Sequence, residues 1–150
     1  MSATPILLAL PTVQIWRTKP RKSHPLRLIG MYMTVSVAPI PENKWYDDGD
    51  ERFRPGNILV NARNIDTMYI VDKQTKKVVW EGTHNYKSGM SHSHEPEMIE
   101  KGLPGAGNII LFDNGLFTRN RIHTGQSFVV ELNPVTQEVV WVYETKGYAN

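Results

Sequence analysis

The residues of this chain best suited to chemistry are crowded into Ser91-His92-Ser93-His94-Glu95-Pro96-Glu97, where imidazoles and carboxylates share a few positions. Imidazole can accept, donate or attack near neutral pH, and a neighbouring carboxylate can fix its tautomer. His92 and His94, one residue apart on an extended segment, would turn both rings to one side. Glu97 or Asp113 would then complete a three-ligand metal site with an open position. No second histidine-rich word supports that metal reading, so no metal is assigned. Gly102-Leu103-Pro104-Gly105-Ala106-Gly107 follows and leads into Asn108-Ile109-Ile110-Leu111-Phe112-Asp113-Asn114-Gly115. The glycines look like a phosphate loop, but they precede a strand and no helix N-terminus awaits an anion, so they are read as turn formers.

The elements that must position this loop are strands. Asn57–Ala62, Thr67–Asp72 and Lys77–Glu81 are short runs rich in Ile, Val, Tyr and Trp, separated by turn-like polar segments. The same grammar returns at Asn108–Phe112, Ser127–Leu132 and Glu138–Tyr143, where Asp113-Asn114-Gly115 marks a strand end. No segment sustains a helical period, and the chain is predicted to be all-β. Between Asn43 and Pro55 a polar run reads as a long surface loop pinned by Trp45, Tyr46 and Phe53. Residues 1–34 are basic, interrupted by prolines and irregular, with short strand candidates at Thr12–Trp16 and Met31–Val37.

The two strand sets are related. Asn57-Ile58-Leu59-Val60 resembles Asn108-Ile109-Ile110-Leu111, and Tyr69 to Trp80 resembles Val129 to Trp141 with one slip. A repeated unit ending in Val-Val-Trp is what propeller blades look like in sequence, with Trp80 and Trp141 as inter-blade packing. Leu116–Gly125 is an insertion in the second unit. Blades of this class take roughly 40–50 residues and closed propellers need at least four. Residues 35–150 are therefore expected to form a partial β-propeller of about two recognisable blades of antiparallel strands. Such an open arc would leave bare edges through which the chain could form a homo-oligomer.

Composition narrows the partners. A net charge of +2 over 150 residues does not make a nucleic-acid footprint, although Arg17, Lys19, Arg21, Lys22 and Arg27 precede the first acid, Glu42. Absence of cysteine excludes disulfides, thiolate metal sites and cysteine nucleophiles. No apolar run approaches a membrane span, and Pro5–Pro11 is a poor signal peptide. The compartment stays unassigned.

The run from Asn43 through Asn64, the His-Glu-Pro loop, Lys101 to Gly115 and the closing Asn133–Glu144 together resemble the bacterial arylsulfotransferase family, in unbroken order from about Val35 to Tyr143. The resemblance implies a six-bladed propeller with its site at the central channel, and members are often exported. It implies transfer of a sulfuryl group from an aryl sulfate donor to a phenolic acceptor, through a sulfated histidine, without cofactor. By motif the nucleophile falls on His94 and a sulfate-steadying arginine on Arg63; His92 is the candidate proton donor or acceptor. Arg63 has a bland rival role as an ion-pair partner of Asp66 or Asp113. Glu97, His84 and His123 are read as surface residues. One departure is plain: Met33, in Met33-Thr34-Val35-Ser36-Val37, stands where the family carries a further histidine. The constellation is incomplete, which leaves a non-catalytic, binding or self-assembling propeller piece as the competing expectation.

Overall fold

The computed structural model describes residues 34–87, 89–115 and 126–144. The strand candidate Thr12–Trp16, Met33, the Leu116–Gly125 insertion and His123 lie outside the described residues. Among the described residues, eight strands form two antiparallel sheets: β1 (Thr34–Pro39), β2 (Ile58–Ala62), β3 (Thr67–Val71) and β4 (Val78–Gly82) in sheet 1; β5 (His94–Met98), β6 (Ile109–Asp113), β7 (Phe128–Leu132) and β8 (Val139–Glu144) in sheet 2. Each sheet follows chain order, so every connection joins neighbouring strands. One short helix, α1 (Lys44–Asp47), and two 3-10 turns complete the described elements.

The sheets are two copies of one pattern. Asp72 Oδ1 accepts from Gln74 N and Thr75 N, and Asn133 Oδ1 accepts from Val135 N and Thr136 N. Both turns end on a left-handed residue, Lys76 or Gln137, at φ 61°. Each is followed by a bulge that leaves Val79 or Val140 unpaired, between Val71↔Val78 and Ile70↔Trp80 in one sheet and Leu132↔Val139 and Glu131↔Trp141 in the other. The sequence slip disappears in this register, because Tyr69 pairs with Val60 as Val130 pairs with Leu111.

The main core lies between the sheets. Leu59, Met68, Ile70 and Trp80 from sheet 1 and Ile109, Leu111, Val130 and Leu132 from sheet 2 are buried in one cluster. Trp80 sits at this junction and its Nε1 donates to Pro134 O at 2.8 Å. Gly82 lies beneath the indole; a Cβ there would fall 2.1 Å from the ring. The 43–55 segment is ordered, as its aromatics predict. Phe53 is fully buried and tilts against Trp80 at 6.3 Å, and Trp45 Nε1 donates to Gly107 O at 2.6 Å. Asn43 caps α1 from its side chain and donates to Phe53 O, so a buried asparagine closes the loop on itself.

Candidate functional site

The histidine-rich segment expected as a loop ends in a strand. β5 begins at His94 and carries a bulge: His94 pairs with Phe112 and Glu97 with Ile110, so Glu95 and Pro96 together oppose Leu111. A bulge is where proline can sit in a sheet without losing a ladder hydrogen bond, and it re-aims the adjoining side chain. Glu95 takes the left-handed conformation this needs, φ 47°, and its N–H donates to Ser36 Oγ at 3.1 Å. Sequence patterning missed the strand because Glu95, Pro96 and Glu97 disguise it.

The segment before β5 is clamped between the sheets. Ser93 is buried, with its Oγ donating to Asn61 Oδ1 at 3.1 Å and its carbonyl accepting from Asn61 Nδ2. His92 holds φ 52°, and its N–H donates to Asp66 Oδ1 at 2.7 Å. Ser91 N–H donates to Asp113 Oδ2 at 3.0 Å on the opposite sheet. Three consecutive residues thus hang from the ends of β2, β3 and β6, at one rim of the molecule.

Asp113 is the buried anchor of this rim. Beyond Ser91 it accepts from Gly115 N at 2.8 Å and lies 2.7 Å from His84 Nε2. His84 Nδ1 accepts from Tyr86 N–H at 3.3 Å, so the neutral imidazole carries its proton on Nε2 and donates it to the carboxylate. His84 is 3% exposed, which corrects its reading as a surface residue. The reason is a partner 29 residues away that no local pattern announces.

His94 is half-buried and its Nε2 lies 2.9 Å from Asn114 Nδ2. The amide donates, which leaves Nε2 as the unprotonated ring nitrogen. Gly115, at φ 58°, makes this geometry possible: a Cβ there would fall 2.0 Å from Gln126 O. His92 is half-buried, and its Nδ1 lies 3.4 Å from Ser91 Oγ.

Arg63 begins the 3-10 turn after β2 and donates from Nη1 to Asn64 Oδ1 at 3.3 Å. Among the described residues it forms no ion pair, so neither Asp66 nor Asp113 holds it as a salt-bridge partner. It is close enough to Asp66 to draw that carboxyl's pKa down, as is His92, but burial outweighs both and raises it. The structure brings His92, Asp66 and Arg63 into one electrostatic neighbourhood and His94 into contact with Asn114. Glu97 is exposed, as expected, and no cluster of metal-ligating side chains occurs among the described residues.

Sequence reasoning passed over Asn61, took Asp66 only as an ion-pair partner for Arg63, and took Asn114 only as part of a strand end. Asn61 had a signal: an asparagine inside the run Ile58–Ala62 breaks an apolar strand, and it is fully buried. Concave space lies elsewhere: one cleft of about 360 Å³ follows Val78–Thr83 along β4, and another of about 590 Å³ borders Thr136–Val140. His92, His94 and Arg63 line neither of these grooves. No family model, curated relative or solved structure matches the chain.

Proposed function

We propose that this chain is an arylsulfotransferase-like protein in which His94 takes a sulfuryl group from a phenolic sulfate ester, and that its two sheets are blades of a propeller. The observation that carries the reading is the pairing of His94 Nε2 with Asn114 at 2.9 Å, on a strand start whose bulge re-aims the ring. An amide donor at Nε2 selects the tautomer whose lone pair would be the nucleophile. The repeated register of the two sheets supports the blade assignment.

In this reading His94 Nε2 displaces the Asn114 amide and attacks sulfur, a new N–S bond forming as the S–O bond to the aryl group breaks. The leaving phenolate takes a proton from His92 acting as general acid. Arg63 offers a planar fork of donors to the sulfuryl oxygens. A second phenol then attacks the sulfur, the N–S bond breaks, and its proton returns to His92. Met33 stands in place of the family's further histidine. Incubation of the chain with an isotopically labelled aryl sulfate tests it: label retained on His94 supports the reading, and label equal in wild type and His94→Ala overturns it.

A further inference from the structure

Each sheet ends on two strands that have a neighbour on one side only: β1 and β4 in sheet 1, β5 and β8 in sheet 2. The outer edge of such a strand presents unpaired N–H and C=O groups, which folded proteins cover, charge or interrupt. Three of these edges are engaged within the chain. β1 and β5 lie against each other, with Glu95 N–H donating to Ser36 Oγ at 3.1 Å. On β4, Gln137 Nε2 donates to Glu81 O at 3.0 Å and caps the edge. β8 is the remaining one.

The repeat shows what β8 lacks. Asn133 N–H donates to Glu138 O, so the backbones of Asn133, Glu131 and Val129 turn toward β8 by alternation. Trp141 and Tyr143, their partners, therefore bond inside the sheet, and Val142 and Glu144 direct their N–H and C=O groups outward. The same alternation, set by Asp72 N–H on Lys77 O, turns Glu81 outward in sheet 1. Val142 is the counterpart of Glu81, since Glu81 pairs with Tyr69 as Val142 pairs with Val130. The Glu81 carbonyl has its glutamine cap; among the described residues, the outward groups of Val142 have none.

Nothing in the side chains of β8 blunts the edge either. From Val139 through Tyr143 the strand holds no charge and no proline, and past the bulge at Val140 its ladder is regular to Glu144. Trp141 is 49% and Tyr143 55% exposed, side by side on the open face. The carboxylate of Glu144 is occupied at home: it accepts from Tyr86 Oη and from Gln126 Nε2 at 3.1 Å, and lies 3.1 Å from Lys87 Nζ. Its charge is thereby compensated where a neighbouring strand would lie.

We infer that β8 is a pairing edge for a second copy of this chain, strand against strand and antiparallel, about a two-fold axis near Val142. Val142 and Glu144 then exchange their outward backbone groups with the same segment of the other copy, and sheet 2 continues across the axis. Trp141 and Tyr143 of both copies meet on the open face as cross-strand aromatic neighbours. The second copy fits because antiparallel pairing about a two-fold sets a strand against itself, requiring only a free backbone edge, an apolar exposed side and no uncompensated like charges. The contact is isologous, so it closes at two chains. The inference stands on the strand edges alone and is independent of the sulfuryl-transfer reading.

Sedimentation velocity of the full chain over a range of concentrations tests it, beside Trp141→Lys/Tyr143→Lys and Trp141→Glu/Tyr143→Glu. Wild type should form a two-chain species that increases with concentration. Each charged variant sets like charges against each other across the axis and should associate about tenfold or more weakly. An equimolar mixture of the two should restore the two-chain species, because lysines then face glutamates. Both positions are exposed, and circular dichroism matching wild type checks that the variants fold. Hydrogen exchange gives a readout in wild type alone: the Val142 and Glu144 amides should slow as the two-chain species forms. Wild type that stays monomeric throughout, or that grows past two chains, overturns the proposal. So do undiminished association of the charged variants, a mixture that stays monomeric, or Val142 and Glu144 amides that exchange equally fast in monomer and dimer.

Discussion

His84 Nε2 lies 2.7 Å from Asp113 Oδ2, and both side chains are 1% exposed, at the point where the chain leaves sheet 1 for the histidine-rich segment. The same carboxylate holds Ser91 N and Gly115 N, so one buried pair fixes both the entry to β5 and the turn that carries Asn114. His84→Ala removes a donor from a buried carboxylate that cannot reach water. The expected loss is about 1–3 kcal/mol of unfolding free energy, from the cost of an unsatisfied buried acceptor. Urea denaturation measures it; an unchanged midpoint and slope would mean the pair contributes nothing to the fold.

Asn114 is a positioning residue for His94. Replacing it with alanine should leave the fold intact, because its amide is half-buried and its contact is local. The imidazole would lose its preference for an unprotonated Nε2. Nitrogen-15 spectra of the ring should show Nε2 unprotonated in wild type and a tautomer mixture in Asn114→Ala. The rate of sulfation should fall about tenfold, near the worth of one hydrogen bond. A wild-type tautomer signature in the variant contradicts this role.

Asp66 gives a pH signature. Burial raises its pKa above the ordinary aspartate range, against the pull of the His92 N–H and the nearby charges of His92 and Arg63. A folded-state pKa above the unfolded one means the carboxyl contributes stability that is fully present below the unfolded value, about 3.9. That contribution is lost as pH rises through the raised folded value. Asp66→Asn keeps an oxygen for His92 N–H and suits the left-handed φ of 53°. The variant should therefore gain on wild type as pH rises from 4 toward 7, a direction readable from urea midpoints across that window. A variant that loses ground with rising pH would show that the charge is stabilised by its neighbours.

Phe53 has no exposed surface and packs on Trp80, so Phe53→Ala should cost about 3–5 kcal/mol through lost burial and the cavity left behind. Thermal unfolding followed by tryptophan fluorescence reports it. A loss under about 1 kcal/mol would mean that the 43–55 segment is not tied to the core.

The strands rich in Ile and Val, Ile58–Ala62, Thr67–Val71, Ile109–Asp113 and Phe128–Leu132, were legible because β-branched residues and turn polars bracket them. The Val-Val-Trp repeat was legible for the same reason, and Trp80 makes the inter-sheet packing it suggested, whereas Trp141, expected to pack likewise, is 49% exposed. β5 was not, because its bulge admits Pro96 and puts exposed Glu95 and Glu97 where a strand pattern expects apolar alternation. In the candidate site, sequence identified His92, His94 and Arg63 by type and word. It placed Asp66 beside Arg63 and not beneath His92, and gave no hint of the Asn114 contact or the His84–Asp113 pair; these contacts join residues 20 to 29 positions apart.

The most direct measurement is the site of sulfation. Wild-type chain, incubated with an aryl sulfate, is quenched in base and mapped by peptide mass spectrometry, beside His94→Ala and His92→Ala. The account predicts one acid-labile sulfuryl group on His94 in wild type, none in His94→Ala, and slower formation at the same residue in His92→Ala. Wild type that stays unmodified, or a modification that persists in His94→Ala, contradicts it.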